Sequence, residues 1–251
     1  MTIRPYRYYL IDLDRTLWDF DSNSEHAIEL LLKQNTVLSS AVHEKEGYGA
    51  DAMHRFFLKY DRINHRLWAE YEKGRLNKDE LRWLRFHNAF LLYGIDDSRL
   101  AKDFGERYLE QMTHETALMP GAWKMLESIR SAGGKMAVIS NGFKEIQYRK
   151  LQGSGILHFF SAVVVSETAG CLKPRPGIFE YAVRLLSGID GKMDHSAWKQ
   201  VKRDTLMIGD DPVNDIEGAQ IFGIDQFYYN HKRLKAISHA TYESSDLSPL
   251  I

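Results

Sequence analysis

Apolar residues gather along this chain in short runs, each closed by turn or polar residues: YYLIDL at 8–13, MAVIS at 136–140, AVVVS at 162–166, TLMIG at 205–209 and QFYY at 226–229. Short continuous runs of this kind predict strands. Between the later runs lie helix-length segments, GAWKMLESIRSAGG, FKEIQYRKLQGSG, PGIFEYAVRLLSG and VNDIEGAQIFG, most of them closed by glycine as helices often are. Strand and helix alternate, which predicts an α/β fold built on a parallel sheet.

Residues 20–115 break that rhythm. They hold no convincing strand and run through helical patterns such as SEHAIELLLKQ, DAMHRFFLKYDRINHRLWAEYEKG and KDELRWLRFHNAFLLYG. The expected organisation is an α/β core of residues 1–19 and 116–251 with a helical domain, 20–115, inserted after the first strand as a lid over the carboxyl end of the sheet, where open parallel sheets place their ligands. The polar, glycine-marked stretch 187–204 reads as a long surface connection.

Composition narrows the classes. The chain has 251 residues, 44% hydrophobic and 27% charged, which is a globular balance. Thirty-three basic residues against 34 acidic ones leave a formal charge of −1, so no global basic field argues for a nucleic acid polymer or an anionic membrane. A single cysteine, Cys171, excludes an internal disulfide, and no run reaches the roughly 18 apolar residues of a membrane span. A cytoplasmic protein, monomeric or homodimeric, is expected.

Asp12 and Asp14 close the first strand in IDLDRTLWD, and a strand period of two sends their side chains to the same side. A second acidic cluster, Asp210, Asp211 and Asp215 in MIGDDPVNDI, follows the fourth strand. Carboxylate oxygens suit a hard divalent cation, Mg²⁺ rather than zinc, although aspartates at such a place are also common helix caps and Asp211 fits that role equally. After the second strand come Ser140, Asn141 and Gly142, whose hydroxyl and backbone amides can donate to phosphate oxygens; after the third come Lys173 and Pro174, the lysine offering a compact positive charge. The histidines of the insertion, His54, His65 and His87, have no zinc-like spacing.

The ordered set, an aspartate pair, a serine, a lysine and a final acidic cluster at four successive strand ends, resembles the haloacid dehalogenase superfamily over almost the whole chain. The resemblance implies a Rossmann-like core with an all-helical cap inserted after strand one. It makes Asp12 a nucleophile that becomes aspartyl-phosphate and Asp14 the general acid and base. Mg²⁺ would be held by Asp12, the Asp14 main-chain carbonyl and Asp210, with Asp211 or Asp215 in an outer shell. Ser140, Asn141 and Lys173 would bind the transferring phosphoryl group. Arg15 departs from the family pattern, where glycine often follows the second aspartate, and the sequence assigns it no role.

Within that superfamily, TLWDFDSN, RINHRLWAEYEKGRL, ISNGFKEIQYRKLQGSGI and VSETAGCLKPRPGIFEYA resemble the noncanonical pyrimidine 5'-nucleotidases. This implies a phosphatase of small phosphorylated metabolites, pyrimidine nucleoside monophosphates first, with Trp18, Phe20, Asn64 and Trp68 as candidates for contacting the base. The alternatives are a sugar-phosphate or phosphoglycolate phosphatase, a phosphomutase, a 2-haloacid dehalogenase, or a binding protein without activity.

Overall fold

The apolar runs become parallel strands of one sheet: β1 (Tyr8–Ile11), β2 (Lys135–Ser140), β3 (Phe160–Val165), β4 (Thr205–Gly209) and β5 (Asp225–Tyr229), with a short sixth strand, β6 (Tyr242–Ser244), at the edge. Their spatial order is β3-β2-β1-β4-β5-β6, and every neighbouring pair is parallel. The computed structural model describes residues 3–188, 194–235 and 240–251. It divides into two units, the chain up to Phe20 with Thr116–Ile251, and Asp21–Glu115.

In the sheet-bearing unit β1 lies centrally, Leu10 registering with Ala137 on one side and Met207 on the other. All residues of β1 and β4 are buried, as unbroken apolar runs require in a sheet covered on both faces. Strand order reverses between β1 and β4, so the chain leaves these neighbours in opposite directions and a crevice opens at their carboxyl ends. β1 is shorter than its apolar run. The Asp12 N–H still donates to the Ile208 carbonyl at 2.9 Å, but the Leu13 carbonyl accepts the N–H groups of Leu17 and Trp18, each at 2.9 Å, and the strand becomes a turn. Asp14 therefore stands in that turn, outside the strand.

The unit Asp21–Glu115 is helical, as its periodicity predicts. It contains α1 (Phe20–Lys33, whose first residue belongs to the other unit), α2 (Thr36–Glu46), α3 (Ala50–Glu72), α4 (Lys78–Leu91) and α5 (Ser98–Met112). Start signals are explicit. Asn35 caps α2 by accepting the Leu38 N–H at 3.0 Å, Asn77 and Glu80 form a reciprocal capping box on α4, and Asp97 caps α5. The interior is aromatic: Phe56, Tyr60, Phe86, Phe90, Phe104 and Tyr108 are fully buried, with Tyr60 stacked on Phe86 at 4.9 Å between centroids. Gly105 lets α5 approach α4, for a Cβ there would stand 2.7 Å from the Arg82 carbonyl oxygen.

The remaining helices belong to the sheet-bearing unit: α6 (Ala122–Ser131), α7 (Lys144–Gly153), α8 (Ser166–Ala169), α9 (Pro176–Ser187), α10 (His195–Arg203) and α11 (Gly218–Phe222). α9 starts with proline at N1 and ends at left-handed Gly188; its stripe Ile178, Phe179, Ala182, Val183 and Leu186 packs into the core with Leu10, Ile139, Val164 and Met207. Two expectations are corrected. The stretch 187–204, read as a connection, contains α10, because Trp198 and Val201 at helical spacing pack against the core and Trp198 meets Phe222 edge-on; 189–193 lie outside the described residues. The segment 213–223, read as one helix, is a π-helical turn over Pro212–Glu217 followed by α11. No described helix is long and apolar enough to cross a membrane.

Candidate active site

The carboxyl ends of β1 and β4 bring three aspartates together. Asp12 follows β1 directly, Asp210 follows β4, and Asp215 is carried back toward both by the π-helical turn. One carboxylate oxygen of each lies within 4.8 Å of the others. Gly209, the last residue of β4, makes room: a Cβ on it would fall 2.2 Å from Asp215 Oδ2. Asp210 accepts a hydrogen bond from Thr16 Oγ1 at 3.3 Å, and His231 Nε2 lies 3.8 Å from its other oxygen.

Lys173 enters this cluster from the loop after α8. Its Nζ donates to Asp12 Oδ1 at 2.6 Å, to Asp215 Oδ1 at 2.6 Å and to the Ile139 carbonyl at 3.0 Å. All three ammonium donors are thereby occupied, so Lys173 acts on this site by fixing two carboxylates and by its charge. Burial alone would lower the pKa of Lys173; Asp12 and Asp215 overcome it and hold the ammonium above the ordinary lysine value. Burial pushes the Asp12 carboxyl up to about 6, against the pull of Lys173 and with the repulsion of Asp210 and Asp14 added to it. Asp215 is raised for the same leading reason, burial, again opposed by Lys173.

Three carboxylates gather where one ammonium is bound to two of them, so the ionised cluster carries more negative than positive charge. A hard divalent cation would offset that charge, and an all-oxygen donor set suits Mg²⁺. The carboxylates that meet are Asp12, Asp210 and Asp215. Asp211 instead caps the π-helical turn, its Oδ1 accepting the N–H groups of Val213 and Asn214 at 2.9 Å each, while its own N–H donates to Asp215 Oδ2 at 3.1 Å.

Asp14 is held by a separate pair of donors. Gln147 Nε2 donates to its Oδ2 at 2.7 Å and Lys150 Nζ to its Oδ1 at 2.7 Å. Gln147 Nε2 also donates to Ser140 Oγ at 2.7 Å, and the Gly142 N–H donates to the same oxygen at 3.0 Å. With both acceptor positions of Ser140 filled, its O–H is left to act as a donor, the role expected of it toward a phosphate oxygen. The side-chain amide of Asn141 is differently engaged: its Oδ1 accepts the Lys173 N–H at 2.8 Å and its Nδ2 donates to the Lys173 carbonyl at 3.1 Å. Asn141 positions the loop that carries Lys173.

Arg15 adopts a left-handed backbone, φ 68°, which explains why glycine suits this place; a non-glycine residue costs roughly 1 kcal/mol there. Its N–H donates to the Trp18 carbonyl at 2.8 Å, closing the turn, and its guanidinium lies 4.5 Å over the Phe20 ring. Trp18 is fully buried, with Lys150 Nζ 4.1 Å above its ring, and Phe20 is half-buried beside it. In the helical unit Asn64 is buried and accepts a hydrogen bond from Arg85 at 3.3 Å, while half-buried Trp68 meets Tyr71 edge-on at 5.5 Å.

Sequence reasoning passed over Thr16, Gln147, Lys150 and Gly209. For Gln147 and Lys150 a signal existed: they share the buried stripe of α7 with Ile146 and Leu151, and polar side chains on the apolar face of a helix need partners inside. Thr16 and Gly209 carried none, since each matters through a contact that only the folded chain makes.

A family model described as haloacid dehalogenase-like hydrolase matches residues 6–223. The chain is 30% identical to pyrimidine 5'-nucleotidase PynA of Streptococcus pneumoniae over 95% of this chain and 90% of that protein. It is 26% identical to pyrimidine 5'-nucleotidase YjjG of Escherichia coli over 89% and 85%. The magnesium-bound crystal structure of the HAD-hydrolase YfnB from Bacillus subtilis superposes with a TM-score of 0.78 at 26% identity, covering 98% of this chain and 97% of that one.

Proposed function

The chain belongs to the haloacid dehalogenase-like hydrolase family, and from that premise we propose that it is a cytoplasmic, magnesium-dependent phosphatase that acts on pyrimidine nucleoside 5'-monophosphates through a phosphorylated Asp12. The observation that carries the chemistry is the cluster of Asp12, Asp210 and Asp215, in which the buried pair Asp12 and Asp215 shares the Lys173 ammonium and half-buried Asp210 completes the set. A displacement at the carbon of a haloacid requires a nucleophilic carboxylate but no cation, and gives no reason to crowd two further carboxylates beside it. Mg²⁺ held by these carboxylates and the Asp14 main-chain carbonyl would offset the repulsion between anionic nucleophile and anionic phosphate.

The residues then divide the reaction into two displacements. The Asp12 carboxylate attacks phosphorus while the bond to the leaving oxygen breaks, and Asp14 protonates that oxygen. Asp14 next takes a proton from water, which attacks the same phosphorus, frees Asp12 and releases inorganic phosphate. Lys173 keeps Asp12 in place and adds positive charge; the Ser140 hydroxyl donates to a phosphoryl oxygen. The support for a pyrimidine nucleotide is the likeness to PynA and YjjG, which extends through the helical unit as well as the sheet-bearing one. We assign substrate choice to the helical unit.

The test is phosphate release from UMP, dUMP, dTMP, AMP, sugar phosphates and phosphoglycolate, with Mg²⁺ and with EDTA, for the native enzyme and for Asp12→Asn. The expected result is pyrimidine nucleotides first, no release in EDTA, and a folded, inactive variant. A sugar phosphate in first place overturns the substrate and leaves the chemistry; activity in EDTA or in Asp12→Asn overturns the mechanism.

A further inference from the structure

We infer that Lys150 and Gln147 are positioning residues that aim the Asp14 carboxyl at the leaving-group oxygen, an inference that rests on the proposed phosphatase reading. Helix α7 follows the Ser140-Asn141-Gly142 turn and presents the two side chains one turn apart on its buried face. Each takes a different oxygen of Asp14, Gln147 the Oδ2 and Lys150 the Oδ1, both at 2.7 Å. A carboxylate gripped at one oxygen can still swing about that contact, whereas two donors on two oxygens fix both its plane and its direction. A proton donor needs that fixity, since a misplacement of about 1 Å at a reacting group can cost on the order of 10²-fold in rate.

The grip is itself built in. The Lys150 ammonium lies 4.1 Å over the Trp18 ring and 5.4 Å from that of Phe20, and its side chain is 4% exposed. A lysine enclosed to that degree is costly without a partner, and the partner here is the carboxylate expected to transfer the proton. Gln147 is fully buried and spans Asp14 and Ser140 with its one amide nitrogen, so the proton donor and the phosphate-binding hydroxyl share a brace. Gly142 is required for it, because a Cβ there would lie 2.2 Å from Gln147 Nε2. Trp18 thus acts as the floor under Lys150.

Leaving-group chemistry separates positioning from mere structural support. UMP expels an alkoxide that must be protonated, whereas p-nitrophenyl phosphate expels a stable phenolate that needs no proton. Lys150→Met should lower kcat/KM for UMP by about 10²-fold while lowering that for p-nitrophenyl phosphate less than about 3-fold, because only the first reaction depends on an aligned acid. Lys150→Arg should recover most of the UMP activity, and Lys150→Met placed on Asp14→Asn should cost nothing further, since the two residues act as one unit. Should Lys150→Met fail to fold, Gln147→Met carries the comparison: it should weaken both substrates through Ser140 and UMP by about a further 10-fold through Asp14. Equal losses on both substrates, or an additive loss on Asp14→Asn, overturn the inference and leave the proposed function standing. A native enzyme that releases phosphate from neither substrate overturns both.

Discussion

The two units bury a cation in opposite ways. In the sheet-bearing unit Lys173 is enclosed by carboxylates, with Asp12 and Asp215 each at 2.6 Å. In the helical unit Arg85, equally buried, has no carboxylate among the described residues. Its Nε donates to the Arg82 carbonyl at 3.3 Å, one terminal nitrogen donates to Asn64 at 3.3 Å, the other has no partner, and the rings of Tyr108 and Phe86 lie 5.0 and 5.2 Å away. One charge is locked into a group of opposite charges, and none of these can be changed alone. The other rests among amides and π-faces, and its removal strands no anion.

The largest expected effect tests that difference directly. Lys173→Met leaves Asp12 and Asp215 buried without their counter-charge and should destabilise the metal-free protein by about 3–5 kcal/mol in urea unfolding. Arg85→Met should stay within about 1 kcal/mol of the native protein or exceed it, because a hydrophobic side chain of similar length fills the same aromatic surroundings. Equal penalties for the two would end the comparison.

A divalent cation should sharpen it. If the excess negative charge of the sheet-bearing unit is a Mg²⁺ site, then Mg²⁺ at a hundred times its dissociation constant should stabilise the protein by about 2.7 kcal/mol, read as a rise in melting temperature without any substrate. Asp210→Asn should remove that rise. Arg85→Met should keep it in full, since the helical unit contributes no carboxylate to the cluster.

Two close-approach glycines, one in each unit, extend the contrast on a smaller scale. Gly209→Ala drives a methyl group into Asp215, and Gly105→Ala drives one into the Arg82 carbonyl. Each should cost about 1–3 kcal/mol through overpacking. Only Gly209→Ala should also weaken the response to Mg²⁺, because only there is the displaced atom a carboxylate of the cluster.

How much of this was legible in the sequence follows the same division. The strands could be read because β1 and β4 are buried on both faces and must be apolar throughout; β6 could not, being a three-residue edge strand of half-buried side chains. The residues at strand ends announced themselves as charges where a strand should simply stop. Asp211 and Asp215 stand four apart in one acidic run, and the sequence could not separate them. Only the π-helical turn turns Asp211 into a cap and carries Asp215 inward to Lys173. The grip on Asp14 was legible only as two polar residues, Gln147 and Lys150, on the buried stripe of α7, a helix whose composition otherwise looks solvated. In the helical unit, periodicity gave the helices, and it also sets Arg85 on the buried stripe of α4 with Leu81 and Ala89, but not which groups surround its charge there.

The smallest effect belongs to a place where the helical unit does gather charge between two helices. Glu46, at the end of α2, pairs with Lys59 and, at 3.2 Å, with Arg55, and accepts a hydrogen bond from Tyr93 at 3.1 Å. The hydrogen bond from Lys59 leads, against the cost of burial and with help from Tyr93 and Arg55, in holding its carboxyl below the ordinary glutamate value of 4.5. A carboxyl whose pKa is depressed by folding stabilises the folded state above its unfolded pKa and loses that contribution as pH falls through the folded value. Glu46→Gln should therefore lower stability at neutral pH by at most about 1 kcal/mol, since both basic partners are partly exposed and screened by salt. Melting curves of variant and native protein should draw together as the pH is lowered below 4.5, and raising the salt concentration at neutral pH should narrow the same gap. A gap that persists unchanged in acid would mean that Glu46 acts through packing and not through charge.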